Sequence, residues 1–301
     1  LSLFVFYLSS KFTPMQPSII QKKEIKQFHE DGFLIFKNFL DGSLSEKAIR
    51  RFDPIFSGEF ETGVLPDKIK WLKGRDPEGI PRSMCNVWKA DRMLANVTLA
   101  EKIGMVAAKL MGWPGTRCNQ DFIMWVPPGA GTVCFHQDNS YQDWFSPGDI
   151  ITCWVALEGT AAEAGTLEYV RGSHKWPLGP RVEQFSAPNN YRAELEEAAQ
   201  EVGEKIDIVP VEIPKGGAAF HHGKLWHGSN YNQSKKSRYS ISSHCMSSES
   251  EFHPTIPSPM FNHYKKFNDL TMEESFFPIL WTENGHRSSF LKEYLNVSEN
   301  K

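Results

Sequence analysis

The stretch CFHQDNSYQDW, residues 134–144, places an imidazole and a carboxylate, His136 and Asp138, two positions apart in a β-like region. Successive side chains of a strand alternate between its two faces, so residues i and i+2 point the same way. The spacing indicates either a hydrogen-bonding pair at the surface or part of a metal site. Because an H-x-D pair is common by chance, residues elsewhere in the chain must decide between these interpretations.

The segment KGGAAFHHGKLWHGSNYNQSKKSRYSIS, residues 215–242, adds another potential ligand, His227, and a cation, Arg238, eleven residues later. Two histidines and one carboxylate on one face of an octahedral metal leave three positions open, as in non-haem Fe(II) oxygenases. A structural zinc site with four protein ligands leaves none open. A nearby arginine suits a dicarboxylate co-substrate, since a guanidinium binds a carboxylate through two parallel hydrogen bonds.

The elements that must position these residues change in character after Trp113. Before it, a helix is predicted at about residues 21–31, closed by Gly32 and followed by a strand. Residues 43–115 look mostly helical or irregular, with a capping serine at the start and Gly112 at the end. After it come short runs rich in β-branched and aromatic residues, separated by Gly, Pro and Asn. This order predicts a mainly β fold with flanking helices: a double-stranded β-helix (a cupin-like jelly roll) with N-terminal helices packed outside it.

The chain shows no repeats or linkers, which favours a single domain over residues 19–301. We expect a jelly-roll core at about residues 114–247, a helical insertion at YRAELEEAAQEVGEK and a C-terminal extension at 248–301. Residues 1–18 begin without Met, and the apolar run LSLFVFYLSS is too short to span a bilayer and lacks a basic start. We expect this segment to be disordered or artefactual, with Met15 as a candidate start.

The net charge and the cysteine spacing limit the kinds of partner and metal site that we expect. A formal net charge of -3 gives no reason to expect nucleic acid or an anionic membrane. The five cysteines include no C-x-x-C pair, which argues against a disulfide framework and a zinc ribbon and indicates reduced thiols. We therefore expect a cytoplasmic protein, a monomer or homodimer, that acts on a small molecule.

The H-x-D pair, the segment GTLEYVRGSHKWPLG, and an H-x-S with an arginine eleven residues past its histidine occur in this order. Together they resemble the phytanoyl-CoA dioxygenase (PhyH) family of Fe(II)- and 2-oxoglutarate-dependent oxygenases, over roughly residues 20–247. The resemblance implies that His136, Asp138 and His227 bind the iron. It also implies that Arg238, with the hydroxyl of Ser229 beside it, binds the carboxylate of 2-oxoglutarate.

The resemblance extends to residues that line the co-substrate site. Trp154, eighteen residues after the first ligand, and Phe122, six residues before Pro128, occupy positions that contact 2-oxoglutarate in the family. The family usually has a basic residue upstream as well. Arg82 and Lys89 are both candidates, and the spacing does not choose between them.

Aromatic residues cluster in sequence around the predicted metal ligands. As a group they fit the mostly apolar wall of a substrate pocket, and we assign Tyr141, Trp144 and Trp125 to it. Core packing is the alternative for any one of them. His221 and His222, in GAAFHHG, are expected to support the site or to pack, rather than to bind the metal.

The resemblance implies a dioxygenase that uses Fe(II), 2-oxoglutarate and O2, supported by ascorbate in vitro, with no catalytic residue beyond the metal site. We expect hydroxylation of a small organic molecule (a secondary metabolite, an amino-acid derivative or a lipid-like acid), with release of succinate and CO2. Asp138 favours hydroxylation because halogenases of the family replace this carboxylate with a small residue. The alternatives are an acyl-CoA hydroxylase, an oxidative cyclase or desaturase, and a non-catalytic jelly-roll protein that binds a metal or ligand.

Overall fold

The structure, a computed structural model, describes residues 20–182, 185 and 190–295, so the predicted N-terminal segment 1–18 lies outside the described residues. The described part of the chain contains fourteen strands: β1 Phe33–Phe36, β2 Lys68–Ile69, β3 Arg82–Cys85, β4 Gly115–Val126, β5 Val133–His136, β6 Phe145–Ser146, β7 Ile150–Ala156, β8 Leu167–Val170, β9 Ile208–Pro210, β10 Ala218–His222, β11 His227–Ser229, β12 Arg238–Ser247, β13 Glu251–Phe252 and β14 Ile279–Thr282. Its α-helices are the following: α1 Lys22–Asp31, α2 Gly42–Ile49, α3 Phe52–Phe56, α4 Arg92–Thr98, α5 Glu101–Met111, α6 Ala193–Val202 and α7 Leu291–Tyr294.

Two antiparallel sheets form the body of the molecule. The larger has eight strands in the order β1-β10-β7-β12-β4-β3-β2, with β14 also paired to β4. The smaller has four, in the order β5-β11-β8-β9. Side chains from the two sheets meet in a shared apolar cluster that includes Phe33 and Trp154 from the large sheet and Tyr169 from the small one. This arrangement confirms the predicted jelly roll.

The helices α1 to α5 cover the outer face of the large sheet. Ile151, Cys153 and Val155 of β7 point into this layer and pack in one core with residues of all five helices. Burying an aliphatic or aromatic side chain of this kind contributes roughly 1.5–3 kcal/mol, so this layer anchors the sheet. The intervening residues of β7, Thr152 and Trp154, point to the inside of the barrel. In the described part of the chain, no helix has the length and apolar character that a membrane crossing would need.

Of the predictions for individual helices and strands, some are confirmed and others are wrong. Helix α1 ends as predicted at Gly32, whose φ of 85° is left-handed, and α6 forms in the predicted charged insertion. The cap of α2 is Asp41 rather than a serine: its carboxylate accepts the backbone N–H of Ser43 at 2.8 Å. Strands β2 and β3 lie in the region predicted to be helical or irregular. Pairing decides their conformation, since β3 pairs with β4 and β2 pairs with β3.

Candidate metal centre

The three predicted metal ligands meet inside the barrel, where β5 and β11 lie side by side. His136 is the last residue of β5 and His227 the first of β11, and the two are paired directly in register. Asp138 was expected to share the strand of His136, but it begins a 3-10 turn, Asp138–Tyr141. Gln137 between them keeps an extended backbone (φ -116°, ψ 126°), so the alternation of side chains continues to Asp138 although the strand has ended.

The ligand atoms of His136, Asp138 and His227 all lie within 4.8 Å of one another, a spacing at which they could hold a metal ion. Oδ1 of Asp138 is 3.5 Å from Nε2 of His136 and 3.7 Å from Nε2 of His227. All three side chains are buried. Two imidazole nitrogens and one carboxylate oxygen on one side of a cavity make a donor set suited to a divalent metal with further positions open.

Backbone carbonyls orient both imidazoles in the same way. Nδ1 of His136 lies 2.8 Å from the carbonyl oxygen of Cys134, and Nδ1 of His227 lies 2.9 Å from that of Leu225. A carbonyl can only accept, so Nδ1 carries the proton in each ring. Nε2 therefore presents its lone pair to the centre, as a metal ligand must.

The second oxygen of Asp138 is held by neighbouring side chains. Oδ2 accepts the hydroxyl of Thr152 at 2.8 Å and lies 3.2 Å from Nε2 of His221. Nδ1 of His221 is 2.9 Å from the hydroxyl of Tyr169, so the tyrosine donates to Nδ1 and Nε2–H donates to the carboxylate. With Oδ2 engaged, Oδ1 is the oxygen that faces the imidazoles of His136 and His227.

The electrostatics of the cluster favour a carboxylate at Asp138 and a neutral imidazole at His227. Burial would raise the pKa of Asp138, but His227, His136, His221 and His244 surround it and hold that pKa well below its usual range. Burial, followed by the neighbouring imidazole of His136, lowers the pKa of His227 well below its ordinary value. These are the protonation states that metal binding requires.

Arg238 is a buried cation at the start of β12, with only 3% of its surface exposed. Burial lowers its pKa to about 10. Among the described residues no carboxylate pairs with it, and its Nε has no hydrogen-bond partner. Its Nη2 lies 4.0 Å from the sulfur of Met124, and its Cζ lies 5.9 Å from the ring centroid of Trp154. A buried unpaired guanidinium is costly, and a carboxylate of a bound co-substrate would pair with it.

Other predicted site residues share this interior. Ser229 lies two positions after His227 on β11, on the same face, and is buried. Phe122 lies on the inner face of β4, paired with Ser242 of β12. The ring of Tyr141 stands edge-on to that of His136, with centroids 6.4 Å apart.

Two predicted residues lie on the opposite face of the large sheet. Trp125 pairs in register with Tyr239, one position along from Arg238, and packs on it against helix α3. Arg82 stacks on the ring of Trp125, 3.9 Å from its centroid, and bonds Glu78 at 2.5 Å. Strand alternation turns both away from the cavity, so their assignment to the substrate and co-substrate sites is corrected.

Two further residues predicted for the site, Trp144 and Lys89, make their contacts elsewhere in the protein. Trp144 is 2% exposed, lies in an apolar cluster with residues of the C-terminal extension, and donates its Nε1–H to Gln142 at 3.0 Å. Lys89 donates to Asp67 at 2.6 Å and to the hydroxyl of Tyr264 at 2.8 Å. These contacts assign Trp144 to the core and Lys89 to a polar junction between distant segments, in place of the predicted roles.

Sequence reasoning missed several residues that surround the predicted ligands. Thr152 and His244 could have been found by counting in twos from Trp154 and from Arg238 along their strands. Tyr169 lies in the segment GTLEYVRGSHKWPLG but carried no distinguishing signal. Phe185, whose ring centroid is 4.9 Å from that of His136, follows no periodic pattern.

Comparison with known proteins relates the whole arrangement to one family. The profile of the family Phytanoyl-CoA dioxygenase (PhyH) matches residues 28–240. A zebrafish (Danio rerio) protein, "Phytanoyl-CoA dioxygenase domain-containing protein 1", is 27% identical over 301 residues, covering 88% of this chain and 99% of its own. The human (Homo sapiens) "Phytanoyl-CoA dioxygenase, peroxisomal" is 24% identical, covering 81% and 75% of the two chains.

Solved structures share the fold at low sequence identity. The α-ketoglutarate-dependent epimerase SnoN from nogalamycin biosynthesis is 17% identical, with a TM-score of 0.64 over 86% of this chain and 97% of its own. EctD from S. alaskensis, solved with 2-oxoglutarate and 5-hydroxyectoine, is 18% identical, with a TM-score of 0.64 over 84% and 87% of the two chains. At this sequence identity the similarity shows a shared fold and nothing more.

Proposed function

The chain belongs to the phytanoyl-CoA dioxygenase family of 2-oxoglutarate-dependent non-haem iron enzymes, and we propose that His136, Asp138 and His227 bind its iron. The observation that carries the assignment is the buried, unpaired guanidinium of Arg238 in the same cavity as this donor set. A purely structural metal site does not need a buried, unpaired cation beside it. A 2-oxoglutarate site requires one.

Residues of the chain have distinct roles in this proposal. Arg238 and Ser229 bind the distal carboxylate of 2-oxoglutarate, with Trp154 and Phe122 against its carbon chain. Asp138 binds the iron through Oδ1 alone, because Thr152 and His221 occupy Oδ2. When bound together, Fe(II), 2-oxoglutarate and O2 supply an oxidant for an unactivated C–H bond; one oxygen atom goes to succinate and the other to the product.

The substrate in this proposal is a small organic molecule that becomes hydroxylated. The rings of Tyr141 and Phe185 lie beside His136 and form an apolar wall that keeps water from the reacting carbon. The name of the human relative points to an acyl-CoA, and SnoK from nogalamycin biosynthesis, another protein of this fold, is described as a carbocyclase. An acyl-CoA hydroxylase and an oxidative cyclase are therefore the alternatives. We place the protein in the cytoplasm, since its five cysteines are buried and none of them forms a disulfide.

Succinate formation tests the proposal. Purified protein supplied with Fe(II), 2-oxoglutarate, ascorbate and a metabolite extract is expected to form succinate and to convert one metabolite into a product one oxygen heavier. The matched control is His136→Ala under the same conditions. Binding of Fe(II) and 2-oxoglutarate without succinate formation would favour the non-catalytic binding protein. A product two hydrogens lighter would favour desaturation or ring closure.

A further inference from the structure

Lys70 is an exposed residue beside Phe122, which we propose to line the 2-oxoglutarate site. It follows β2, and its backbone N–H donates to the carbonyl of Ser83 on the neighbouring strand at 3.0 Å. Its ammonium lies 5.7 Å from the ring centroid of Phe122 and 5.8 Å from that of Phe185. Phe185 also packs against the imidazole of His136, so the ammonium and a proposed iron ligand lie near the same phenyl ring.

The ammonium of Lys70 has no anionic partner among the described residues, and none of their hydrogen bonds engages it. Lys89, by contrast, is paired with Asp67. The side chain of Lys70 reaches solvent, yet the surrounding protein desolvates it enough to lower its pKa. Exposure to solvent and a pKa lowered by burial are both expected for an ammonium at the mouth of a cleft. The titratable groups that act on it are the thiol of Cys85 and the like charge of Lys68.

The two aromatic rings do not account for this placement. Cation–π attraction reaches out to about 6 Å, so rings near that limit hold the ammonium weakly. Its three N–H donors stay available to a ligand between Phe122 on the large sheet and Phe185 beside the small one.

We propose that Lys70 binds a carboxylate of the primary substrate and so selects a compact organic acid. The proposal rests on the proposed function, because it takes the carbon near His136 as the one oxidised. Because the ammonium and His136 lie near the same ring, the carboxylate and the oxidised carbon of such a substrate are a few bonds apart. A coenzyme A thioester does not fit this arrangement, since its phosphates lie far from its acyl carbon.

Calorimetry with a matched pair of probes tests the proposal. The probes are 3-(4-fluorophenyl)propanoate and its neutral amide, titrated anaerobically into the Fe(II) protein with 2-oxoglutarate saturating, so that Arg238 is already occupied. We expect the acid to bind about tenfold more tightly than the amide. The ratio should fall to about one in Lys70→Met. It should persist in Lys70→Arg and in Lys68→Met, a matched loss of charge two residues away.

Equal affinity of wild type for acid and amide, or an acid preference that survives Lys70→Met, would overturn the proposal. A second measurement separates the substrate from the co-substrate. In the slow formation of succinate without substrate, Lys70→Met should leave the KM for 2-oxoglutarate unchanged, and a rise in that KM would reassign Lys70 to 2-oxoglutarate. If wild type forms no succinate at all, the proposed function fails, while the acid-to-amide ratio still reports on Lys70.

Discussion

The outer and inner faces of the large sheet are built from the same strands but carry opposite kinds of side chain. On β7, Ile151, Cys153 and Val155 pack outward against the helices, while Thr152 points inward to bond Asp138. On β12, Ile241 packs outward and Arg238 is buried inward without an acidic partner among the described residues. Alternation with a period of two places both sets on one strand.

The difference between the two faces indicates which residues contribute to stability and which to ligand binding. The outer face removes apolar surface from water, and its residues are exchangeable for others of similar size. The inner face buries polar and charged groups, at a cost to stability that is offset when a ligand pairs with them. Substitutions on the outer face should therefore change the free energy of unfolding, and substitutions on the inner face should change ligand binding.

The largest effect is expected at the metal centre. His136→Ala, Asp138→Ala or His227→Ala should each abolish succinate formation, because each removes one of the three donors. The free energy of unfolding of the metal-free protein should change little in the two histidine variants, whereas Asp138→Ala should lower it, because Thr152 and His221 lose the carboxylate that they bond. Activity assays and thermal unfolding of the three variants measure both quantities. Full succinate formation by any variant would remove that residue from the set of ligands.

On the outer face, Phe220→Ala should destabilise the protein by roughly 3–5 kcal/mol, since its fully buried ring packs edge-on against Phe36 and Phe39. The affinity of the folded fraction for 2-oxoglutarate should stay at the wild-type value. Chemical denaturation and calorimetry measure the two. A large loss of affinity at full folding would mean that the two faces are not independent.

Arg238→Lys keeps the charge but loses the planar pair of donors, so the KM for 2-oxoglutarate should rise by about ten- to a hundredfold while iron binding survives. Arg238→Met, which removes a buried unpaired charge, should leave the ligand-free protein as stable as wild type or more stable. Steady-state succinate assays and thermal unfolding measure these effects. An unchanged KM would assign the co-substrate carboxylate to another cation; Arg82 and Lys89 are already engaged elsewhere.

A smaller effect is expected where the inner face only supports a ligand. Tyr169→Phe removes the hydroxyl that bonds His221 at 2.9 Å, which should cost about 0.5–1.5 kcal/mol and weaken Fe(II) binding a few-fold. The ring itself stays in place. Anaerobic titration of Fe(II) measures the change, and Tyr239→Phe on the outer face is the matched control. Equal Fe(II) affinity in both variants would show that His221 needs no partner to hold Asp138.

The sequence predicted the jelly roll and the residues that meet at the centre, because local periodicity and motif spacing carry that information. The face of each strand was equally available: counting in twos along β4 from Phe122, which points inward, places Trp125 on the outer face. What local sequence could not reveal is pairing between distant segments. The contact of Lys89 with Asp67, twenty-two residues away, is of this kind. So is the formation of strands by KI and RSMC, since RSMC pairs with β4 and KI pairs with RSMC.

The smallest effect on iron is expected at Gln137, between two proposed ligands. Its side chain points away from the centre: Oε1 accepts the N–H of Gly179 at 2.6 Å, and Nε2 donates to the carbonyl of Lys224 at 2.7 Å. Gln137→Ala should keep Fe(II) affinity near the wild-type value, while the loss of these buried bonds costs about 1–3 kcal/mol of stability. Thermal unfolding and anaerobic Fe(II) titration measure the two effects.

Asp138→Gly is the complementary change, because it removes a donor without adding bulk. It should lose hydroxylation but still bind 2-oxoglutarate, since Arg238, His136 and His227 remain. The charge-transfer absorption that forms when 2-oxoglutarate joins Fe(II) distinguishes the two variants: full intensity for Gln137→Ala, and an altered band for Asp138→Gly. If Gln137→Ala loses iron as completely as His136→Ala, the extended backbone at Gln137 does not set the directions of its neighbours. Side-chain alternation would then not explain which residues face the metal beyond the end of β5.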